Sequence, residues 1–128
     1  MIIRASLETN EVDIAGTAAD WAIFCQSLES DSGNYPVGIV SSASPWDCCL
    51  TILRVVRLIA RPVSVRPIRE GVLEISGSAQ GIRVLAENAR EMISANINLH
   101  VHVDDLILPD VFAESSASMV WSRVASNL

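Results

Sequence analysis

The chain contains no lysine; all nine of its basic residues are arginine. That absence excludes a lysine Schiff base, a lysine general base and the lysine of a phosphate-binding loop. Aromatic residues are scarce, with three Trp, two Phe and one Tyr, which weighs against a sheet that stacks nucleic-acid bases. The three cysteines are odd in number, Cys48 and Cys49 are adjacent, and no C-x-x-C occurs. Adjacent residues bridge only through strained geometry. The expectation is a reduced, cytoplasmic protein whose cysteines serve as small hydrophobes. Met1 to Ser6 lacks the basic start and long apolar run of a signal peptide. No segment reaches the roughly 18 uncharged apolar residues of a membrane helix, and the richest, Cys48 to Ala60, carries Arg54 and Arg57. Against nine arginines stand 15 acids, for a net charge of -6. Nucleic-acid binding needs a basic face that displaces counterions. Neither nucleic acid nor membrane is therefore expected as a partner.

What is present is a half-apolar chain of 128 residues, enough to bury a core in one domain spanning 1–128 without disulfides or metals. Two stretches resemble each other at an offset of 61 residues. Glu11-Val12-Asp13-Ile14-Ala15-Gly16-Thr17-Ala18 matches Val72-Leu73-Glu74-Ile75-Ser76-Gly77-Ser78-Ala79. Behind each glycine the apolar residues fall on one helical face: Trp21, Phe24, Cys25 and Leu28, then Ile82, Leu85, Ala86 and Ala89. Thr17 and Ser78 suit the N-cap, and Asp20 completes a capping-box pattern with Thr17. Arg83 and Glu87 are spaced as i, i+4 partners. Alternation predicts strands at Ile2 to Leu7, around Val12 and Ile14, Val37 to Val40, Val63 to Ile68, around Leu73 and Ile75, Leu99 to Val103, and Met119 to Val124. Short polar tips join the early pairs as hairpins, and Asp31-Ser32-Gly33-Asn34 reads as a turn. Residues 45–60 admit two readings. Ser44-Pro45-Trp46-Asp47 resembles a helix start, whereas the Val, Ile and Thr content of Leu50 to Leu58 favours a strand. The strand is the preferred reading; a helix would set Arg54, Arg57 and Arg61 in one stripe. The fold expected is α+β: two similar strand-strand-helix-strand halves, 1–61 and 62–128, forming an antiparallel sheet with two helices on one face. The other face is left for solvent, a ligand or a partner.

Three clusters could carry function. His100-Val101-His102-Val103-Asp104 would place His100, His102 and Asp104 on one strand face, a spacing compatible with zinc or iron. Such alternation also describes any half-exposed strand, so a structural or interfacial role is the competing reading. Asp104, Asp105, Asp110 and Glu114 form an acidic stretch, either a solvated loop or an electrostatic contact for a basic partner. Arg54, Arg57, Arg61, Arg66 and Arg69 form the opposite pole, with no acid between Cys48 and Arg69. They read either as edge-protecting charges or as a site for an anionic group. Gly77-Ser78-Ala79-Gln80-Gly81 lacks the spacing and lysine of a phosphate loop, and no nucleophile elbow is present. Trp21 reads as core, while Trp46 and Trp121 are open between core and interface anchor.

The stretch from Leu73 through Ala86, the His100-Val101-His102-Val103-Asp104 strand and the closing apolar strand together resemble the immunity protein 32 family over residues 72–124. Its pattern is a strand ending at Gly, a helix led by a Gly-Leu-like pair (here Gly81-Ile82), and an H-V-H-hydrophobic-D strand. The resemblance implies a small cytoplasmic protein that neutralises a toxin of a bacterial polymorphic toxin system by binding it. It supplies no catalytic residues. The N-terminal half departs from the pattern, with Ile39 and Ser41 at the approximate histidine positions. The function expected is thus a non-catalytic binding protein with no cofactor and a cognate toxin as partner, through Asp104, Asp105, Asp110, Glu114, Arg54 and Arg57. Two alternatives stay open: a metal-binding protein or metal-dependent enzyme using His100, His102 and Asp104, and a structural domain that homodimerises through its uncovered sheet face.

Overall fold

A computed structural model describes residues 1–42, 44 and 46–125. Among these, nine strands and two helices confirm the α+β class. The first hairpin is β1 (Ile2–Ser6) and β2 (Glu11–Gly16). Helix α1 (Ala18–Glu29) follows, then β3 (Gly33–Pro36), β4 (Cys48–Leu50) and β5 (Ile52–Arg57). The second hairpin, β6 (Ser64–Ile68) and β7 (Val72–Gly77), leads into α2 (Ala79–Glu91), β8 (His100–Val103) and β9 (Ser118–Arg123). The preferred strand reading of Leu50 to Leu58 is realised as β4 and β5. Pro45, the first position of the alternative helix, lies outside the described residues. One expected strand is displaced: β3 begins at Gly33, inside the stretch read as a turn, and Val37 to Val40 belong to no strand. Ile39 and Ser41 therefore do not occupy a counterpart of the histidine strand.

The expected single antiparallel sheet is instead two mixed sheets. The first runs β4-β1-β2-β9-β8 and the second β3-β5-β7-β6. In each, a hairpin lies beside a parallel strand: β2 pairs with β9, Glu11 opposite Ser118 through Gly16 opposite Arg123. Likewise β7 pairs with β5, Val72 opposite Ile52 through Gly77 opposite Arg57. In each, the parallel strand then takes an antiparallel neighbour, β8 on β9 and β3 on β5. The early hairpin is thus completed by the last strands of the chain, and the later hairpin by strands that precede it. Alternation along a strand states which residues share a face, and it carries no information about which strand lies alongside. Thr51 is the corner between sheets. Leu50 before it pairs with Ile3 of β1, Ile52 after it pairs with Val72 of β7, and the Thr51 N–H donates to Gly71 O at 2.8 Å.

The helices form where the apolar spacing places them. Thr17 caps α1, with reciprocal bonds between Thr17 and Asp20, and Ser78 Oγ accepts from the Gly81 N–H at 3.1 Å at the start of α2. The expected i, i+4 pair is not made: among the described residues Arg83 and Glu87 form no ion pair within 4.0 Å. The helices pack on each other, α1 also touching β2 and β5 and α2 touching β7. The Cys25 thiol lies 3.3 Å from Ala86 O across the helix pair. Trp21, Phe24 and Trp121 are fully buried, with ring centroids 5.2 to 6.1 Å apart. Trp21 Nε1–H donates to Ser122 O at 3.1 Å, tying α1 to β9. Trp121 is thereby core, as is Trp21, while Trp46 is half-buried. One apolar cluster draws on both helices and on strands of both sheets. No helix is long and apolar enough to cross a membrane, among the described residues.

Candidate functional site

The acidic stretch after β8 is a built loop. Asp104 Oδ1 accepts from the N–H groups of Leu106 and Ile107 at 3.0 and 3.2 Å, and Asp104 O accepts from Leu108 N–H at 2.9 Å. An aspartate that bonds backbone groups two and three residues on fixes a turn. Leu108 and Val111 pack on the core and Phe112 is buried, which anchors the far side. The chain then runs along β6: Val63 N–H donates to Val111 O at 2.8 Å, Ala113 N–H to Val63 O at 2.8 Å, and Ala117 N–H to Val65 O at 2.9 Å. Between these anchors Leu106 is 85% exposed and Ile107 60% exposed. Asp110 and Glu114 are exposed and Asp105 half-buried. Two large apolar side chains are thus held in water within an acidic surround. Leu106 and Ile107 escaped the sequence reading; the apolar run Leu106-Ile107-Leu108 between Asp105 and Pro109, fitting neither helical nor strand periodicity, is the signal that points to them.

The histidines share one exposed face of β8, as alternation requires, with Val103 buried beneath. Asp104 does not join them, because its carboxylate is engaged in the loop turn. Among the described residues, no group of three or more His, Cys, Asp or Glu is placed to hold a metal ion. The carboxylate that His100 acts on electrostatically is Asp13, on β2. His100 Nδ1 and Ser122 Oγ share a hydrogen bond of 2.7 Å. Asp13 pairs in register with Arg4 of β1. Burial pushes the Asp13 carboxyl above the ordinary carboxylate range, and the opposing charges of Arg4 and His100 offset only part of that. Among the described residues, Arg4 Nε is buried without a hydrogen-bond partner. A shallow cleft of about 320 Å³ brings His102 beside Trp46, Glu11 and Ser118.

The arginine pole is divided rather than gathered. Arg54 and Arg66 flank Glu74, each at 3.5 Å, and Arg54 Nε–H donates to Asn34 Oδ1 at 3.0 Å. This outer face of the second sheet is therefore partly neutralised by its own carboxylate. Arg57 is half-buried and engaged within the fold: its guanidinium donates to Leu28 O at 3.1 Å and to Ser30 O at 2.8 and 3.1 Å, closing the C-terminus of α1. Successive strand residues point to opposite sides, so Arg54 and Arg57 cannot form one stripe. Arg61 lies apart in a cleft of about 480 Å³ that also holds Asp110. The thiols are free; Cys25 is buried and Cys48 and Cys49 half-buried. Burial, and then the adjacent Asp47 charge, push the Cys48 thiol up, so its nucleophilic thiolate is disfavoured.

Comparison with protein families, with characterised proteins and with solved structures finds no match.

Proposed function

We propose that this is a non-catalytic, cytoplasmic binding protein, an immunity protein that neutralises a cognate bacterial toxin by direct contact. The observation that carries the reading is the loop from Asp104 to Asp110, where Leu106 and Ile107 are held exposed. Exposed apolar anchors supply the area that drives association, and a charged rim speeds encounter and selects the partner. The acidic rim of Asp105, Asp110 and Glu114 calls for a basic surface on the toxin. Because the loop is already fixed by Asp104, little ordering cost remains for binding. The resemblance of residues 72–124 to immunity protein 32 points in the same direction. The matching order of strands in the two sheets supports a companion proposal, that residues 1–61 and 62–128 descend from one duplicated unit.

The test is co-expression with the toxin encoded beside this gene. The expected outcome is cell survival and a stable complex on gel filtration. Leu106→Ser with Ile107→Ser should abolish both while leaving the thermal midpoint unchanged, since neither side chain is buried. Dying cells and no complex with the unaltered protein would sink the proposal.

A further inference from the structure

Strand β8 ends the first sheet with one side unpaired among the described residues. Which backbone groups it leaves open follows from its register on β9. Arg123 N–H donates to Leu99 O at 3.0 Å and Arg123 O accepts from Asn98 N–H at 2.7 Å, so Arg123 turns both backbone groups toward the β8 side and marks a bonded position of the ladder. Such positions alternate along an antiparallel ladder. Val101 with Trp121 and Val103 with Met119 are then the bonded pairs, and the backbone N–H and C=O of His100 and His102 point outward. Exposed strand edges are usually blunted by proline, charge, shortness or a covering segment. The other edges carry such protection: β3 ends in Pro36, β4 is three residues long, and β6 is lined by the chain from Val111 to Ala117. Strand β8 is short, at four residues, but among the described residues it has no proline and no covering segment, and its nearest charges, Asp104 and Asp105, lie beyond its end. Ile93 to Val103 contains no Asp, Glu, Lys or Arg, and Ile97 and Leu99 beside the strand are 55% and 42% exposed.

We propose that β8 is a self-association edge that takes a second copy of this chain, strand to antiparallel strand across a two-fold axis. The pattern from Leu99 to Val103 is apolar, His, apolar, His, apolar, and it reads the same in reverse. With Val101 opposite Val101 of the second copy, His100 meets His102 and Leu99 meets Val103. In that register the outward groups of His100 and His102 face each other as bonded pairs, giving four new backbone hydrogen bonds. Shifting by one residue would put histidines against the apolar face and misalign the open donors. Charge agrees with this register: Asp104 and Asp105 fall opposite the uncharged turn before Leu99, not opposite each other. A heterologous strand could satisfy the backbone, but the self-complementary alternation favours a second copy. The toxin-facing Leu106 and Ile107 are not used, so the dimer stands or falls apart from the proposed function.

Sedimentation equilibrium of the full chain over a range of concentrations tests this. The expected mass is twice 13.8 kDa. His102→Pro removes an outward N–H that β9 does not use, which an edge strand tolerates, and should halve the apparent mass with folding intact. Leu99→Lys places a charge on the same edge and should do likewise, and it decides the matter if the proline variant fails to fold. A monomer at every concentration overturns the proposal, as does a folded variant of either kind that still dimerises.

Discussion

Arg57 illustrates how a single side chain can differ from its reading in sequence. As one of five clustered arginines it looked available for an anionic ligand. In the fold it reaches 27 and 29 residues back to carbonyls at the end of α1, a helix whose last turn holds no basic residue of its own. A cation there satisfies orphan carbonyls and opposes the helix dipole. Local spacing cannot reveal a cap delivered by a distant strand. Arg57→Ala should cost about 1.5 to 3 kcal/mol in urea unfolding, the range for hydrogen bonds to a charged group. Arg57→Lys should recover only part of that, because lysine lacks the fork. Asp20, by contrast, was legible, since its bonds stay within one turn. Burial raises its carboxyl, but the Thr17 backbone N–H, the Met1 ammonium at 3.1 Å and the Thr17 hydroxyl outweigh that and hold it below its ordinary value. A lowered folded pKa means stability that is present above the unfolded value, about 3.9, and lost as pH falls through the folded one. Asp20→Asn should therefore lower the thermal midpoint at pH 7, and the gap to the unaltered protein should close in acid. A gap that persists at the lowest pH would show that charge is not its source.

At the level of elements, the helices were readable because one apolar stripe and one cap define each. The hairpins were readable because a short polar tip leaves no other partner. Strand β3 was missed because Gly33 and Asn34 have the composition of a turn, and it is its pairing with Val55 and Arg54 that makes it a strand. The passage from β7 into α2 shows a tighter constraint. Gly77 has φ +154°, and a Cβ there would stand 2.9 Å from Val63 Cα, a backbone atom. Gly77→Ala therefore meets both backbone strain and a clash that no rotamer relieves. A loss of at least about 2 kcal/mol is expected in denaturant titration.

At the scale of the whole molecule, each sheet is assembled from distant segments. The first joins β1 and β2 to strands ending at Arg123, and the second joins β3 and β5 to β6 and β7. Neither half of the chain can close its own central ladder. A peptide of residues 1–61 should lack a cooperative transition by circular dichroism, and mixing it with residues 62–128 should restore helical signal. Independent folding of 1–61 would contradict the exchange. This connectivity was invisible in sequence, where the matched motifs suggested halves built side by side. The candidate surface was half visible for a related reason. The acids were plain, whereas the exposure of Leu106 and Ile107 depends on anchors at Asp104 and Phe112 that only the packed chain supplies.

The placement of β9 also bears on how the chain is made. The strands of the second sheet have all been synthesised once Gly77 is translated, but β2 waits for Ser118 to Arg123 before its open side is filled. During that interval a nascent chain on the ribosome presents β2 as a naked edge with Val12 and Ile14 awaiting cover, a state prone to capture by other chains. Slowed elongation over the last third of the message would lengthen that exposure. The yield of native protein should then depend on translation speed and on chaperones that shield the early hairpin, even though the finished fold holds β2 in the interior of its sheet.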